Sequence, residues 1–189
     1  MYTLSQSGQA ASELRIVALT GFMGAGKTSV GQALAALLNW PFFDLDHEIE
    51  LRETLPIREI FRLYGEPRFR EIEAETLRRL LERVFSQTVI ALGGGTFIQA
   101  SNADLLRNEG ARFVFLETPI ELMLQRCRIG TPSSAGNPRP LAADPDAFRA
   151  LYEQRLPQYR TADLTVITAG DTNEENARKI AVALGLAIV

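Results

Sequence analysis

The stretch that decides the fold is residues 21–28, which read GFMGAGKT. Two glycines separated by four residues and followed by Lys27 and Thr28 fit the pattern of a phosphate-binding loop. The apolar run of residues 15–21 leads into this loop and predicts a buried strand. Residues 27–38 lead out of it with the pattern of a helix. This strand–loop–helix context predicts a site for a nucleoside triphosphate with magnesium.

Each part of this loop has a task in phosphate binding. The glycines let backbone N–H groups point inward, and the N-terminus of the following helix attracts anions through its dipole. Lys27 is expected to bridge the β- and γ-phosphates, and Thr28 to place its hydroxyl on Mg²⁺. The alternative is a glycine-rich turn with a chance lysine. The residues expected to contact the nucleotide are Gly24, Ala25, Gly26, Lys27, Thr28 and Ser29.

Strand-like and helix-like stretches alternate along the rest of the chain. Further strands are predicted over residues 41–44, 88–92, 112–116 and 164–168. Further helices are predicted over residues 46–53, 57–64, 66–83, 102–109, 119–128, 147–159 and 174–184. This alternation predicts a parallel sheet with helices on both faces, which is a three-layer α/β/α fold. Ligands of such folds bind beyond the carboxyl ends of the strands.

Length and composition limit the class of protein. The chain has 189 residues, 46% of them hydrophobic, which suits a single domain over residues 14–189 after a flexible tail over residues 1–13. The net charge of −3 gives no reason to expect nucleic acid or a membrane as partner. The single cysteine, Cys127, excludes a disulfide within the chain and is interpreted as a packed, inert thiol. A cytoplasmic location is the expectation.

Two aspartates follow the second predicted strand. Asp44 and Asp46 lie two residues apart, so their side chains share a face. Asp44 is a candidate magnesium ligand through water, and Asp46 a candidate acceptor of a hydrogen bond or proton from a substrate hydroxyl. The alternative is that one of them caps the helix that begins near His47. His47 is interpreted as a surface or capping residue.

Three consecutive glycines and several arginines complete the set of candidate features. Residues 93–95 end a buried strand, which indicates close backbone approach to a ligand or to the phosphate loop, with a plain tight turn as the alternative. Arg70, Arg139 and Arg155 carry the planar fork that suits carboxylates and phosphates. For each arginine the alternative is a solvated surface charge, and composition alone does not choose between the two.

Taken together, these motifs resemble the shikimate kinase family over nearly the whole chain after about residue 15. The resemblance rests on six segments: GFMGAGKTSVG from residue 21, FDLD at 43–46, FREIE at 69–73, LGGG at 92–95, RPL at 139–141 and R-x-P-x-Y at 155–159. It implies a P-loop kinase with a five-stranded parallel sheet and a mobile lid over about residues 129–143. It implies an enzyme of aromatic amino-acid biosynthesis that transfers the γ-phosphate of ATP to the 3-hydroxyl of shikimate. A monomer is the separate expectation for its oligomeric state.

The resemblance also implies roles for the acceptor side of the site. Asp46 matches the aspartate that binds the shikimate hydroxyls and is proposed as the base. Arg70 and Arg155 match the pair that clamps the shikimate carboxylate. Gly94 matches a backbone contact to the substrate.

On the donor side, Arg139 matches a lid arginine that reaches the ATP phosphates, and Asp44 matches an aspartate near a single Mg²⁺ ion. The loop that contains Arg139 is longer than the usual lid of the family. The segment 169–174, where the family contacts adenine, is a weak match in which Thr172 and Asn173 are the candidates. The expected catalytic residues are Lys27, Asp46 and Arg139.

Two rival functions remain at this point. The first is a related small-molecule kinase, such as a gluconate-type sugar-acid kinase, against which Asp46, Arg70 and Arg155 argue as a set. The second is a catalytically silent nucleotide-binding module, against which the intact Lys27 and Thr28 argue.

Overall fold

A computed structural model of the chain describes residues 2–4, 14–129 and 144–189. Within these ranges the strands are β1 (Tyr2–Leu4), β2 (Ile16–Thr20), β3 (Phe42–Asp44), β4 (Thr88–Ala91), β5 (Ala111–Glu117) and β6 (Leu164–Ile167). The helices are α1 (Lys27–Leu38), α2 (Leu45–Glu53), α3 (Ile57–Leu81), α4 (Ala100–Asn108), α5 (Ile120–Ile129), α6 (Pro145–Tyr159) and α7 (Asn173–Ala183). The lid predicted at about residues 129–143, with Arg139, lies outside the described residues apart from Ile129.

The strands form one sheet in the order β1-β6-β5-β2-β4-β3. Strands β2 to β6 pair in parallel, which confirms the predicted five-stranded parallel sheet between helical layers. The entering strand β2 lies inside this sheet, where Ile16 pairs with Thr88 on one side and with Ala111 on the other. Every residue of β2 is buried, as expected for a parallel strand covered on both faces.

The strand β1 was not predicted from the sequence. Residues 2–4 lie in the predicted tail, yet they pair antiparallel with β6, with Tyr2 opposite Val166. Tyrosine, threonine and leucine form a short β-prone segment, and β6 would otherwise offer an unpaired edge.

The predicted helices over residues 57–64 and 66–83 form the single element α3. Gly65 separates the two halves because its backbone is not helical, with φ 73° and ψ 175°. Pro67 follows in the first turn of the second half, where proline is tolerated because the N–H of that turn has no partner within the helix. The break predicted between residues 64 and 66 is therefore real.

The core lies between the sheet and its helices. Its largest buried side chains are aromatic, and they connect the phosphate loop to α6: Phe22 packs edge-on against Phe148 and Tyr152, with ring centroids 4.9 and 5.5 Å apart. The loop is thereby fixed to a helix that follows the predicted lid in the chain. Among the described helices, none is both long enough and apolar enough to cross a membrane.

Candidate active site

The phosphate loop, residues 21–28, packs directly against α5. Gly24 has φ 80°, and a Cβ at this position would lie 2.7 Å from the carbonyl oxygen of Met123 and 2.9 Å from Sγ of Cys127. Arg126, also on α5, donates a hydrogen bond to the Gly24 carbonyl at 3.1 Å. Only glycine fits this contact, so the loop backbone lies on the helix with no side chain between them.

Lys27 begins α1 and turns back over the loop. Its Nζ donates to the carbonyl oxygens of Gly21 at 2.9 Å and Phe22 at 3.0 Å. The ammonium is therefore held at the mouth of the loop, where Lys27 is expected to meet the phosphates. Gly26 caps α1 with φ 91° and no side-chain capping bond, so the helix N-terminus is formed by backbone alone.

Asp44 caps α2, which confirms one of the two alternatives that the sequence left open, and it also contacts Thr28, the other candidate near magnesium. Its Oδ1 accepts from the backbone N–H groups of Asp46 at 3.0 Å and His47 at 3.3 Å, which caps α2. Its Oδ2 accepts from the Thr28 hydroxyl at 2.5 Å. A carboxylate and a hydroxyl oxygen that converge in this way fit a magnesium ion, which prefers oxygen ligands and keeps several waters.

The backbone of the three glycines at residues 93–95 lies close to two of the candidate substrate-binding residues. A Cβ on Gly93 would lie 2.7 Å from Oδ1 of Asp46, and a Cβ on Gly95 would lie 2.5 Å from Nη2 of Arg70. A Cβ on Gly94 would lie 3.6 Å from the backbone nitrogen of Met23 in the phosphate loop. The turn therefore touches the phosphate loop, Asp46 and Arg70 at once, which favours close backbone approach over a plain tight turn.

Arg70 is held on α3 by two carboxylates. Nη1 pairs with Oε2 of Glu73 at 3.0 Å and Nη2 pairs with Oε1 of Glu66 at 2.9 Å. Burial works against the charged guanidinium, but the attraction of Glu73 and the hydrogen bonds to Glu66 and Glu73 outweigh it, so the pKa of Arg70 is raised. The fork therefore stays charged and points along a fixed direction.

Glu73 is a site residue that the sequence analysis did not single out, although it lies in the FREIE motif. Its side chain is only 1% exposed, and Oε1 accepts from the Thr96 hydroxyl at 2.7 Å. A buried carboxylate needs such partners. The available signal was its spacing: Glu73 lies four residues after the buried Phe69, on the apolar face of α3.

Arg155 and Tyr159 approach the same turn from α6. Nη1 of Arg155 donates to the Gly94 carbonyl oxygen at 3.2 Å, and the Tyr159 hydroxyl donates to the same oxygen. The Arg155 guanidinium also lies 5.9 Å above the ring of Phe22. Burial raises the pKa of Tyr159 to about 12, against the opposing effect of the neighbouring Arg155 charge, so the hydroxyl remains a donor at neutral pH. Tyr159 is the second residue whose position the sequence did not reveal.

The structure thus groups most of the candidates at one end of the sheet. Lys27, Thr28 and Asp44 surround the phosphate loop, and the remaining group around residues 93–95 consists of Asp46, Arg70, Gly94 and Arg155. Arg139 lies outside the described residues.

The adenine candidates lie at the start of α7. The Thr172 hydroxyl accepts from the N–H of Glu175 at 3.2 Å in a capping box, and Asn173 is the first residue of the helix. Thr172 therefore has a structural task. Its contact with adenine stays a prediction, as does that of Asn173.

A parallel sheet, a phosphate loop between strand and helix, and polar groups gathered at the strand ends define a P-loop kinase. The shikimate kinase family model matches residues 23–184. The chain belongs to the shikimate kinase family. It is 42% identical over 171 residues to the shikimate kinase of Ruegeria pomeroyi, a match that covers 89% of this chain and 83% of the relative. The corresponding protein of Geobacter sulfurreducens is 42% identical over 173 residues, with 90% and 91% covered.

A solved structure agrees with this assignment. The shikimate kinase from Acinetobacter baumannii in complex with shikimate superposes with a TM-score of 0.78 at 38% identity. The match covers 92% of this chain and 94% of that one.

Proposed function

We propose that this chain is a shikimate kinase that transfers the γ-phosphate of ATP to the 3-hydroxyl of shikimate, giving shikimate 3-phosphate and ADP. The proposal rests on the charged side chains that converge on the turn at residues 93–95. Two arginine forks, Arg70 and Arg155, and one carboxylate, Asp46, reach this turn from three helices. A hydroxylated carboxylic acid requires that combination: cations for its carboxylate and an acceptor for its hydroxyls.

On the acceptor side, Arg70 and Arg155 bind the shikimate carboxylate, and Gly94 supplies a backbone contact. Asp46 accepts a hydrogen bond from the 3-hydroxyl. As that oxygen forms its bond to the γ-phosphorus, its proton passes to Asp46, and the bond between this phosphorus and the β–γ bridging oxygen breaks. The electron pair of the broken bond leaves with ADP.

On the donor side, backbone N–H groups of residues 24–29 bind the phosphates, and Lys27 pairs with the β- and γ-phosphate oxygens. Arg139 adds a second cation to the same phosphates. Thr28 and, through water, Asp44 would hold Mg²⁺, which would neutralise phosphate charge. Catalysis in this scheme is mainly positioning and charge neutralisation, because phosphoryl transfer asks little covalent chemistry of the protein.

The test is a coupled assay of ADP release with magnesium and ATP, run with shikimate, with gluconate and with no acceptor. We expect ADP release that depends on shikimate, together with a product one phosphate heavier by mass spectrometry. Turnover with gluconate alone would contradict the proposed acceptor. ATP binding without turnover on any acceptor would favour the silent nucleotide-binding module.

The monomeric state, the cytoplasmic location and the lid at about residues 129–143 stay predictions from the sequence. Size-exclusion chromatography with light scattering tests the first of them, and a mass near twice that of the chain would contradict it.

A further inference from the structure

Two buried threonine hydroxyls lie behind the phosphate loop. Thr118 follows β5 and Thr168 follows β6, and their side chains are 2% and 4% exposed. Oγ1 of Thr118 lies 3.1 Å from the carbonyl oxygen of Ala25 and 2.6 Å from Oγ1 of Thr168. The three groups form one continuous hydrogen-bonded chain from the end of β6 to the phosphate loop.

The direction of this chain follows from its last member. A carbonyl oxygen only accepts, so the single proton of the Thr118 hydroxyl is donated to Ala25. The 2.6 Å contact between the two threonines must then be donated by Thr168. Thr168 orients Thr118, and Thr118 orients the loop, so that each hydroxyl has one defined rotamer.

Holding the Ala25 carbonyl also sets the direction of the next N–H. The peptide between Ala25 and Gly26 is planar and trans, so its C=O and N–H point in opposite directions. Thr118 holds the carbonyl on the buried side of the loop, which turns the N–H of Gly26 away from the buried side. Gly26 is the residue that caps α1, where N–H groups are available to an anion.

The hydroxyl chain is itself anchored by the sheet. The backbone N–H of Thr168 donates to the carbonyl oxygen of Glu117 at 3.1 Å, which continues the pairing of β6 with β5 one residue past Ile167. Both threonines therefore sit on rigid strand ends. Residue 168 is also directly followed by the segment 169–174, which is expected to lie near the base of the nucleotide.

We propose that Thr118 and Thr168 are positioning residues for the nucleotide: their hydroxyl chain fixes the Ala25–Gly26 peptide so that the N–H of Gly26 is oriented for a phosphate oxygen before the nucleotide arrives. The proposal rests on the nucleotide-binding half of the proposed function and does not depend on the acceptor. An N–H that is already oriented strengthens binding because the loop loses less freedom when the phosphate is bound.

A purely structural role is the competing explanation, because any buried hydroxyl needs a partner. Four variants separate the two roles: Thr118→Val, Thr168→Val, the double variant of these, and Thr118→Ser. Valine keeps the branched shape and removes the hydroxyl, whereas serine keeps the hydroxyl. Each protein is measured by calorimetric titration with ADP and magnesium, by titration with shikimate, and by thermal unfolding.

We expect Thr118→Val to weaken ADP binding roughly 3- to 10-fold, as loss of one hydrogen bond predicts, with shikimate affinity within about twofold of wild type. Thr118→Ser should bind ADP like wild type. Thr168→Val should have a smaller effect, because Thr118 still donates to Ala25.

The double variant gives the sharpest result. Thr118→Val leaves the Thr168 hydroxyl buried without its partner, and removing that hydroxyl as well relieves the penalty. The double variant should therefore unfold at a higher temperature than Thr118→Val and yet bind ADP as weakly. The double variant has no unpaired Thr168 hydroxyl and should therefore fold more readily. If Thr118→Val does not fold, ADP binding is measured on the double variant instead.

ADP affinity equal to wild type in Thr118→Val or in the double variant would overturn the proposal and leave a structural role. ADP affinity that recovers together with stability in the double variant would do the same. Wild-type protein that binds ADP but does not phosphorylate shikimate contradicts the proposed acceptor alone. Wild-type protein that fails to bind ADP contradicts both the proposed function and the positioning role of the two threonines.

Discussion

The carbonyl oxygen of Gly94 anchors α6 to the turn at residues 93–95, on the acceptor side of the proposed site. It accepts from Arg155 and from Tyr159, two residues one helical turn apart on α6. An arginine has five donor hydrogens, so one bond to the backbone leaves most of the fork for a ligand. Because Tyr159 also holds this oxygen, removing Arg155 leaves the turn itself supported.

Arg155→Ala tests the carboxylate clamp. Losing a hydrogen bond to a charged ligand group should raise the KM for shikimate roughly 10- to 150-fold, with the KM for ATP changed less than about threefold. Steady-state kinetics in both substrates give the comparison. Arg149→Ala is the matched control, because Arg149 lies on the same helix and pairs with Glu121 at an exposed position. An equal rise in both KM values would contradict the clamp.

Tyr159→Phe tests the buried hydroxyl through pH. The folded pKa of about 12 lies above the ordinary value of 10, so the folded state keeps this proton longer than the unfolded state. The corresponding stability is fully present below pH 10 and is lost as pH rises from 10 toward 12. At pH 7 the variant should be about 1 kcal/mol less stable through loss of the bond to Gly94.

Urea unfolding at pH 7 and at pH 11 measures this effect. The difference in unfolding free energy between wild type and Tyr159→Phe should shrink at pH 11, because the phenylalanine has no proton to lose. Tyr64→Phe is the control for removal of a phenolic hydroxyl at an exposed position. A Tyr159→Phe difference that is equal at both pH values would show that the hydroxyl does not titrate with folding.

Individual residues were predictable where a motif fixes both type and spacing. The phosphate loop and the aspartate pair belong to this group: the capping interpretation of Asp44 is confirmed, and its place near magnesium stays a prediction. Glu73 and Tyr159 were not singled out because what matters is their burial, together with partners more than 20 residues away. Pairings of that kind appear only after the chain has folded.

At the level of elements, α3 shows how a helix break positions a side chain. Gly65 adopts φ 73° and ψ 175°, a conformation essentially restricted to glycine. The second half of α3 begins after this residue and carries Arg70 to the turn at residues 93–95. The direction of that half therefore depends on a backbone conformation that no other residue adopts without strain.

Gly65→Ala should destabilise the protein by about 1–3 kcal/mol through this backbone strain. If the second half of α3 shifts, the KM for shikimate should rise while the affinity for ADP, which depends on other elements, stays unchanged. Urea unfolding and a calorimetric titration measure the two effects. Pro67→Ala is the control, expected to lose less than about 1 kcal/mol. A Gly65→Ala protein as stable as wild type would contradict the role of the break.

The boundaries of the predicted elements were correct to within two residues because hydrophobic periodicity and stop signals act locally. The helix α1 was predicted with its observed bounds, and the strand β2 to within one residue at each end. The strand β1 was not predicted, because a three-residue segment has too little pattern of its own and forms by pairing with β6. Long-range pairing is the information that local sequence does not contain.

At the level of the whole molecule, the donor and acceptor halves of the proposed site rest on different elements that meet at one end of the sheet. The donor half consists of the loop between β2 and α1, and the acceptor half comes from α2, α3, α6 and the turn after β4. Contact between the halves is made by backbone, at Gly94 beside Met23, and by the ring of Phe22 beneath Arg155. Each half should therefore bind its ligand when the other half is damaged.

Ligand-linked stability tests this independence. A ligand at about 100 times its Kd stabilises the folded state by about 2.7 kcal/mol, which corresponds to a rise in Tm of roughly 5–11 °C for a chain of this size. Lys27→Ala should lose most of the rise caused by a non-hydrolysable ATP analogue with magnesium and keep the rise caused by shikimate. Arg155→Ala should lose most of the rise in Tm caused by shikimate and keep the rise caused by the ATP analogue. The control Arg149→Ala should keep both rises in Tm. If either site variant lost both rises while remaining folded, the two halves would form one cooperative unit and would not bind their ligands independently.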